Sequence, residues 1–122
     1  GNFKFLFPNR YNVYLHDTPA RGLFARAQRA ASHGCVRIED PRALANQLLA
    51  NETGWTDAAE RSTKIDTALA KTMPTRVTLK RPVRVFLMYA TALAIEDGRV
   101  LFFDDIYGHD AKLVQALGSA HN

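Results

Sequence analysis

Apolar and polar residues alternate along the first part of the chain, which is the pattern of β-strands. The alternation predicts strands over residues 3–7 and 12–16, separated by the turn pair Pro8-Asn9. Asp17 and Pro19 end the second strand. His16 is therefore expected at a strand terminus, where a rigid element presents a side chain to a loop.

The middle of the chain has a helical period. Asp40 is a suitable N-cap and Pro41 suits the first helical position, so a helix is predicted to begin there. A second helix is predicted over residues 56–71 and ends before Pro74. The apolar stripe of the first helix consists of Leu44, Leu48 and Leu49.

From residue 76 onwards the apolar residues recur at every second position, which is the period of a β-strand. Strands are predicted over residues 77–79 and 83–95, with Pro82 between them. Asp97-Gly98 is a strong hairpin signal, and the chain returns as a strand over residues 100–103.

Residues 110–117 are predicted to form a short C-terminal helix that ends at Gly118. The whole pattern predicts a fold that is mainly β with helices: about five strands, two helices in the middle and a short one at the end. Because no repeat, low-complexity tract or linker interrupts it, residues 1–122 are predicted to form a single domain.

The composition is that of a globular protein, with 47% hydrophobic and 23% charged residues. Cys35 is the single cysteine, which excludes an intrachain disulfide. The longest apolar runs, such as residues 85–90, are far shorter than the ~20 residues that span a bilayer, so no transmembrane segment is predicted. The chain begins with Gly1 and without a signal peptide, and we expect it to be a piece of a longer precursor.

The net charge of +4 comes from the beginning of the chain, where residues 1–38 contain six basic residues and one acid. This surplus suits an anionic partner. The basic residues are not interleaved with aromatic residues as a stacking platform, so we predict that nucleic acid is not a partner.

The candidate chemistry lies in Ser32-His33-Gly34-Cys35, together with His16. A thiol attacks carbonyl groups as the thiolate, so a nucleophilic cysteine needs a base or a cation nearby. We predict that Cys35 is the nucleophile and that His16, which approaches from another strand, is the general base and acid. His33 is predicted to position the substrate or to stabilise developing charge.

The neighbours of these residues are predicted to orient them and to bind the substrate. The second ring nitrogen of His16 needs a fixed acceptor, which is either the Asp17 carboxylate or a main-chain carbonyl. Gly34, with Ser32 beside it, allows a close backbone approach, and the N–H groups of Gly34 and Cys35 are candidate oxyanion donors. Arg37 can share a face with the thiol, where it would bind a substrate carboxylate or lower the pKa of the thiol.

Two other interpretations remain open from the residues alone. A single cysteine is often a small core residue. Alternatively His16, His33 and Cys35 could bind zinc if Asp17 or His109 completed the set. Since the paired ligand spacings of structural zinc sites are absent, we predict no metal, and acyl transfer by a thiol and a histidine base needs no cofactor.

The spaced motif resembles the signature of the L,D-transpeptidase catalytic domain, the YkuD-like family of bacterial cell-wall enzymes. His16 is followed by fifteen residues and then by Ser32-His33-Gly34-Cys35-Val36-Arg37. The resemblance is greatest to the large periplasmic murein L,D-transpeptidases, and it extends to residues 4–9, 13–19, 23–24 and 97–110.

The resemblance implies that Cys35 is the nucleophile and His16 the base of a peptidoglycan L,D-transpeptidase. Such enzymes release D-alanine from a tetrapeptide stem, form a thioester, and pass the acyl group to a second stem in a 3-3 cross-link or to a D-amino acid. Arg37 would bind a carboxylate of the stem peptide. Carbapenem β-lactams are implied as covalent inhibitors, and the periplasm or cell envelope as the location.

The same resemblance implies a β-sandwich-like fold with strands before residue 4, so the chain is expected to be truncated at its N-terminus. Isolated residues 1–122 are then expected to complete their sheet by association or to have reduced activity. Two alternative functions are an L,D-carboxypeptidase-type thiol hydrolase and a catalytically inactive wall-binding module.

Overall fold

The computed structural model describes residues 1–32 and 34–119, and the chain divides into two units, Gly1–Val85 and Phe86–Asn122. Each unit has a sheet of its own, three-stranded in the first and two-stranded in the second. None of the helices in these described ranges is long and apolar enough to cross a membrane.

The sheet of the first unit is built from three short strands, β1 (Lys4–Phe5), β2 (Leu15–His16) and β3 (Val36–Arg37). β1 and β2 are antiparallel, whereas β2 and β3 are parallel. β1 and β2 lie within the two predicted strands but are shorter.

The side chain of Asn9 explains why these strands are short. Its Oδ1 accepts the backbone N–H groups of Tyr11 and Val13, both at 3.0 Å. Its Nδ2 donates to the carbonyl oxygens of Phe7 at 3.0 Å and Val13 at 2.7 Å. Backbone groups that could have continued the ladder are therefore satisfied by a polar turn.

Three helices complete the first unit: a 3₁₀ helix (Arg21–Ala25), α1 (Pro41–Leu49) and α2 (Ala58–Leu69). The start of α1 is as predicted, with Asp40 Oδ1 accepting the Ala43 N–H at 2.9 Å. α2 starts in the same way, because Asp57 Oδ1 accepts the Glu60 N–H at 2.8 Å.

The buried core of the first unit lies between α1 and α2. It consists of Ala45, Leu49 and Ile65, against which Phe3, Phe5, Trp55 and Leu79 pack. An ion pair of 2.6 Å between Arg42 and Asp66 joins the same two helices at the surface. Because Phe3 and Phe5 come from the first strand region, the sheet and the helices share one core.

Glu52, after α1, is a buried carboxylate with backbone partners. It is 6% exposed, and its carboxylate accepts the N–H groups of Lys80 at 3.1 Å and Arg81 at 3.3 Å. These bonds hold the segment around residue 80 against the end of α1.

The second unit consists of a hairpin and a helix. β4 (Ala92–Ala94) pairs with β5 (Val100–Phe102) through the predicted Asp97-Gly98 turn, where Gly98 has φ +84°. The closing helix, α3 (His109–Ser119), runs past Gly118, where the sequence predicted its end.

Asp105 caps the start of α3. Its carboxylate accepts the Tyr89 hydroxyl at 2.6 Å and the N–H groups of Asp110 at 2.7 Å and His109 at 3.0 Å. The Tyr89 hydroxyl and then these N–H groups lower the pKa of the Asp105 carboxyl to about 2.

The predicted strand over residues 77–79 is absent from the described chain, and of the strand predicted over residues 83–95 only Ala92–Ala94 is a strand, so the prediction is wrong for residues 77–79 and 83–91. A strand needs a neighbour for its backbone, and alternation does not supply one. Between the two predicted strands, the N–H groups of Lys80 and Arg81 bond to the Glu52 carboxylate and not to another strand. The helices consequently hold more residues than the strands, and the described fold is mixed rather than mainly β.

Candidate active site

The parallel pairing of β2 with β3 brings together residues that are distant in sequence. The register places His16 opposite Arg37, and Ile38 N–H donates to the His16 carbonyl at 2.8 Å. Cys35 directly precedes β3, where Val36 N–H bonds to the Tyr14 carbonyl at 3.2 Å. This register places His16 and Arg37 on one face of the sheet, and Cys35, two residues before Arg37, would share that face if the alternation of side chains extends one residue beyond β3.

The His16 ring is oriented by a main-chain carbonyl. Its Nδ1 lies 2.6 Å from the carbonyl oxygen of Asp17. A carbonyl oxygen only accepts, so Nδ1 carries the proton and Nε2 keeps its lone pair when the ring is neutral. This is the tautomer that a general base requires, and of the two acceptors that the sequence left open it is the main chain that contacts the ring.

The Asp17 carboxylate instead bonds to the beginning of the chain. It accepts the N–H of Asn2 at 2.8 Å and of Phe3 at 3.1 Å. Burial raises the pKa of the Asp17 carboxyl, but the hydrogen bonds from Asn2 and Phe3, together with smaller contributions of the same sign, lower it by more, and the pKa lies below its usual range. Asp17 therefore holds the segment that leads into β1 beside β2.

The loop before β3 is closed by the side chains of Ser32 and Arg37. Ser32 Oγ donates to the Cys35 carbonyl at 2.6 Å and accepts the Gly34 N–H at 3.3 Å. Arg37 Nη1 donates to the Ala31 carbonyl at 3.0 Å. These contacts set the path of the chain into Cys35.

Gly34 has φ +150°, a conformation that side chains with a Cβ rarely adopt. A glycine is therefore required at this position for a backbone reason. His33, which the sequence analysis named as a neighbour of the thiol, lies outside the described residues.

Cys35 is half-buried and forms no disulfide, and it does not belong to the buried core formed by α1 and α2. Across residues 1–32 and 34–119, no three histidine, cysteine or acidic side chains are grouped as metal ligands. The zinc site considered from the sequence would use His33 as a ligand, and His33 lies outside the described residues.

Two residues that the sequence analysis did not select also lie on this face. Lys4 Nζ lies 3.9 Å from the centre of the Tyr14 ring, and the Tyr14 ring lies 5.6 Å from the His16 ring. Lys4 is directly opposite His16 in the antiparallel register. The signal was present in the sequence, since Tyr14 and His16 share a strand face and the neighbouring strand begins near Lys4.

The sequence of the first unit matches a known enzyme family. The family model described as the L,D-transpeptidase catalytic domain (YkuD) matches residues 1–85, and the chain belongs to this family. The resemblance drawn from the sequence is thereby confirmed. The family acts on peptidoglycan.

A protein of Haemophilus influenzae, named "Putative L,D-transpeptidase", is 45% identical to this chain over 113 residues. The similarity covers 93% of this chain and 22% of that protein. The chain therefore spans about a fifth of the length of the curated relative that it matches.

Proposed function

We propose that the protein is a peptidoglycan L,D-transpeptidase of the cell envelope, with Cys35 as the nucleophile and His16 as the base. The observation that carries this proposal is the pairing of β2 with β3, next to which the His16 ring donates through Nδ1 to the Asp17 carbonyl. A base with its lone pair on Nε2 and a free thiol next to the paired strand are the two groups that nucleophilic catalysis requires, which supports the proposal.

In the first half of the reaction an amide bond is exchanged for a thioester. His16 Nε2 accepts the thiol proton, and the Cys35 sulfur attacks the carbonyl of the amide between the third stem residue and D-alanine. The tetrahedral adduct collapses when His16 returns this proton to the amine of D-alanine, which departs.

In the second half the thioester is exchanged for a new amide. His16 deprotonates the amine of an acceptor, which attacks the thioester and regenerates the thiol. A second stem as acceptor produces a 3-3 cross-link, and a D-amino acid produces an exchanged stem. No cofactor takes part in either half.

The N–H groups of Cys35 and Gly34 are the proposed oxyanion donors. Ser32 Oγ competes for the Gly34 N–H, but at 3.3 Å this bond is at the long end of the range. His33 is proposed to position the substrate.

Arg37 is proposed to bind a stem carboxylate. It uses Nη1 for the Ala31 carbonyl, and a guanidinium group has five donors. The basic residues of the first segment would attract the anionic wall polymer, an attraction that salt weakens.

The experiment is the intact mass of the protein after incubation with a carbapenem. We expect an increase equal to the mass of one carbapenem, because the opened β-lactam stays on the thiol. Cys35→Ser should abolish the increase, and His16→Gln should slow it by about a hundredfold or more, as expected for the loss of a general base. A folded protein that gains no mass would contradict the proposal.

Product analysis distinguishes transfer from hydrolysis. With a tetrapeptide donor and an amine acceptor, a transpeptidase forms a cross-linked or exchanged product. Release of the tripeptide alone, whatever the acceptor concentration, would assign a hydrolase that uses the same two residues.

A further inference from the structure

Lys4, His16 and Arg37 form one row across the three-stranded sheet. Lys4 is opposite His16 in the antiparallel pair, and His16 is opposite Arg37 in the parallel pair. Residues opposite each other in register point to the same face of a sheet. The proposed base therefore has a cation on the β1 side as well as on the β3 side.

Two contacts in series connect the Lys4 ammonium group to the His16 ring by way of Tyr14. Nζ lies over the Tyr14 ring at 3.9 Å from its centre, and the Tyr14 ring lies 5.6 Å from the His16 ring. The cation–π contact orders a side chain that would otherwise move freely in solvent.

The hydrogen-bond donors of this ammonium group are available to a ligand. Lysine has three donors, and the ion pairs among the described residues involve other cations than Lys4. The Asp17 carboxylate is engaged by the N–H groups of Asn2 and Phe3. An anion that approached His16 from the β1 side would therefore meet an exposed cation.

The order of the strands indicates which anion this is. The acyl group of the substrate is bonded to Cys35 on the β3 side, and the departing amine is next to His16 on β2. Neighbouring strands are about 4.8 Å apart, and the carboxylate of an α-amino acid is roughly 3 Å from its amine, so this carboxylate can reach the space between His16 and Lys4.

We infer that Lys4 binds the terminal carboxylate of the departing D-amino acid and makes the site specific for donors that end in a free carboxylate. This inference rests on the proposed function. Arg37, on the opposite side of His16, is then left for a carboxylate of the acyl part of the substrate.

The test compares two tetrapeptide donors, one ending in D-alanine and one in D-alaninamide. In Lys4→Met we expect KM for the carboxylate donor to rise about tenfold, because one charge-assisted contact is lost. We expect kcat, and both constants for the carboxamide donor, to remain at their wild-type values. Lys4→Arg should restore most of the lost affinity.

Lys71→Met is the matched control, because it removes the same charge just after the end of α2, outside the sheet. The inference would be overturned if KM in Lys4→Met changed by the same factor for both donors. It would also be overturned if Lys71→Met raised KM for the carboxylate donor as much as Lys4→Met does. If the wild-type protein consumed neither donor, the proposed function itself would fail, and the inference with it.

Discussion

At the scale of single residues, the candidate site depends on main-chain groups as much as on side chains. The His16 ring is oriented by the Asp17 carbonyl, and Ser32 donates to the Cys35 carbonyl. Gly34, between these contacts, has a backbone conformation that other residues rarely adopt. The position of the Cys35 thiol should therefore be sensitive to changes that leave the side chains of the proposed nucleophile and base intact.

Gly34→Ala is expected to slow acylation of Cys35 by about tenfold and to cost about 1–3 kcal/mol of stability, because φ +150° is strained for alanine. A clash is not the cause, since the new Cβ would lie 3.8 Å from Val13 Cγ2. Carbapenem acylation followed by mass, and urea unfolding, measure the two effects.

Gly22→Ala is the control, because its Cβ would enter open space and its φ is ordinary. It should leave the acylation rate unchanged. If Gly34→Ala were acylated as fast as Gly22→Ala, the backbone argument would be wrong.

At the scale of elements, the residues of the candidate site are aligned by strands of only two residues each. Backbone pairing determines which residues lie opposite each other even when the strands are this short. The parallel pair of β2 and β3 aligns His16 with Arg37, and the antiparallel pair aligns Lys4 with His16. Asp17 supports the second pairing by holding the N–H groups of Asn2 and Phe3.

Asp17→Asn is expected to lower the free energy of unfolding by about 1 kcal/mol at pH 7, after allowance for solvent screening. The pKa of Asp17 is lowered in the folded protein, so its contribution is present above the pKa of the unfolded chain. The contribution is lost as pH falls through the lowered pKa of the folded protein, and the difference between wild type and variant should therefore be smaller at about pH 3 than at pH 7. Urea unfolding at both pH values measures this, and a difference that persisted undiminished in acid would contradict it.

At the scale of the whole molecule, the two units differ in how far their apolar side chains are buried. The first has a small buried core and a buried carboxylate. The second has apolar side chains that are largely exposed, such as Phe86 at 76%, Met88 at 85% and Phe102 at 79%. The range matched by the family model, residues 1–85, coincides with the first unit.

Glu52→Ala is expected to lower the stability of the first unit by about 1–3 kcal/mol, because the N–H groups of Lys80 and Arg81 lose their acceptor. Glu60→Ala is the control: its contact with Lys64 is exposed and 3.8 Å long, so it should cost less than about 0.5 kcal/mol. Thermal unfolding of both variants measures the difference. Equal losses of stability would show that the contacts of Glu52 with residues 80 and 81 do not stabilise the first unit.

Local chemistry explains which predictions from the sequence were confirmed. The N-cap of α1 at Asp40 and the hairpin turn at Asp97-Gly98 depend on residues next to each other in the chain. The strands predicted over residues 77–79 and 83–91 depended on partners elsewhere, and alternation does not specify a partner.

The sequence by itself determined the family, through the spacing of His16 and Ser32-His33-Gly34-Cys35, because a motif is a property of the order of residues. Only the tertiary structure decided that the Asp17 carbonyl, and not its carboxylate, contacts the His16 ring. Likewise only strand register aligned Lys4 and Arg37 on either side of His16, since register depends on backbone hydrogen bonds between distant segments.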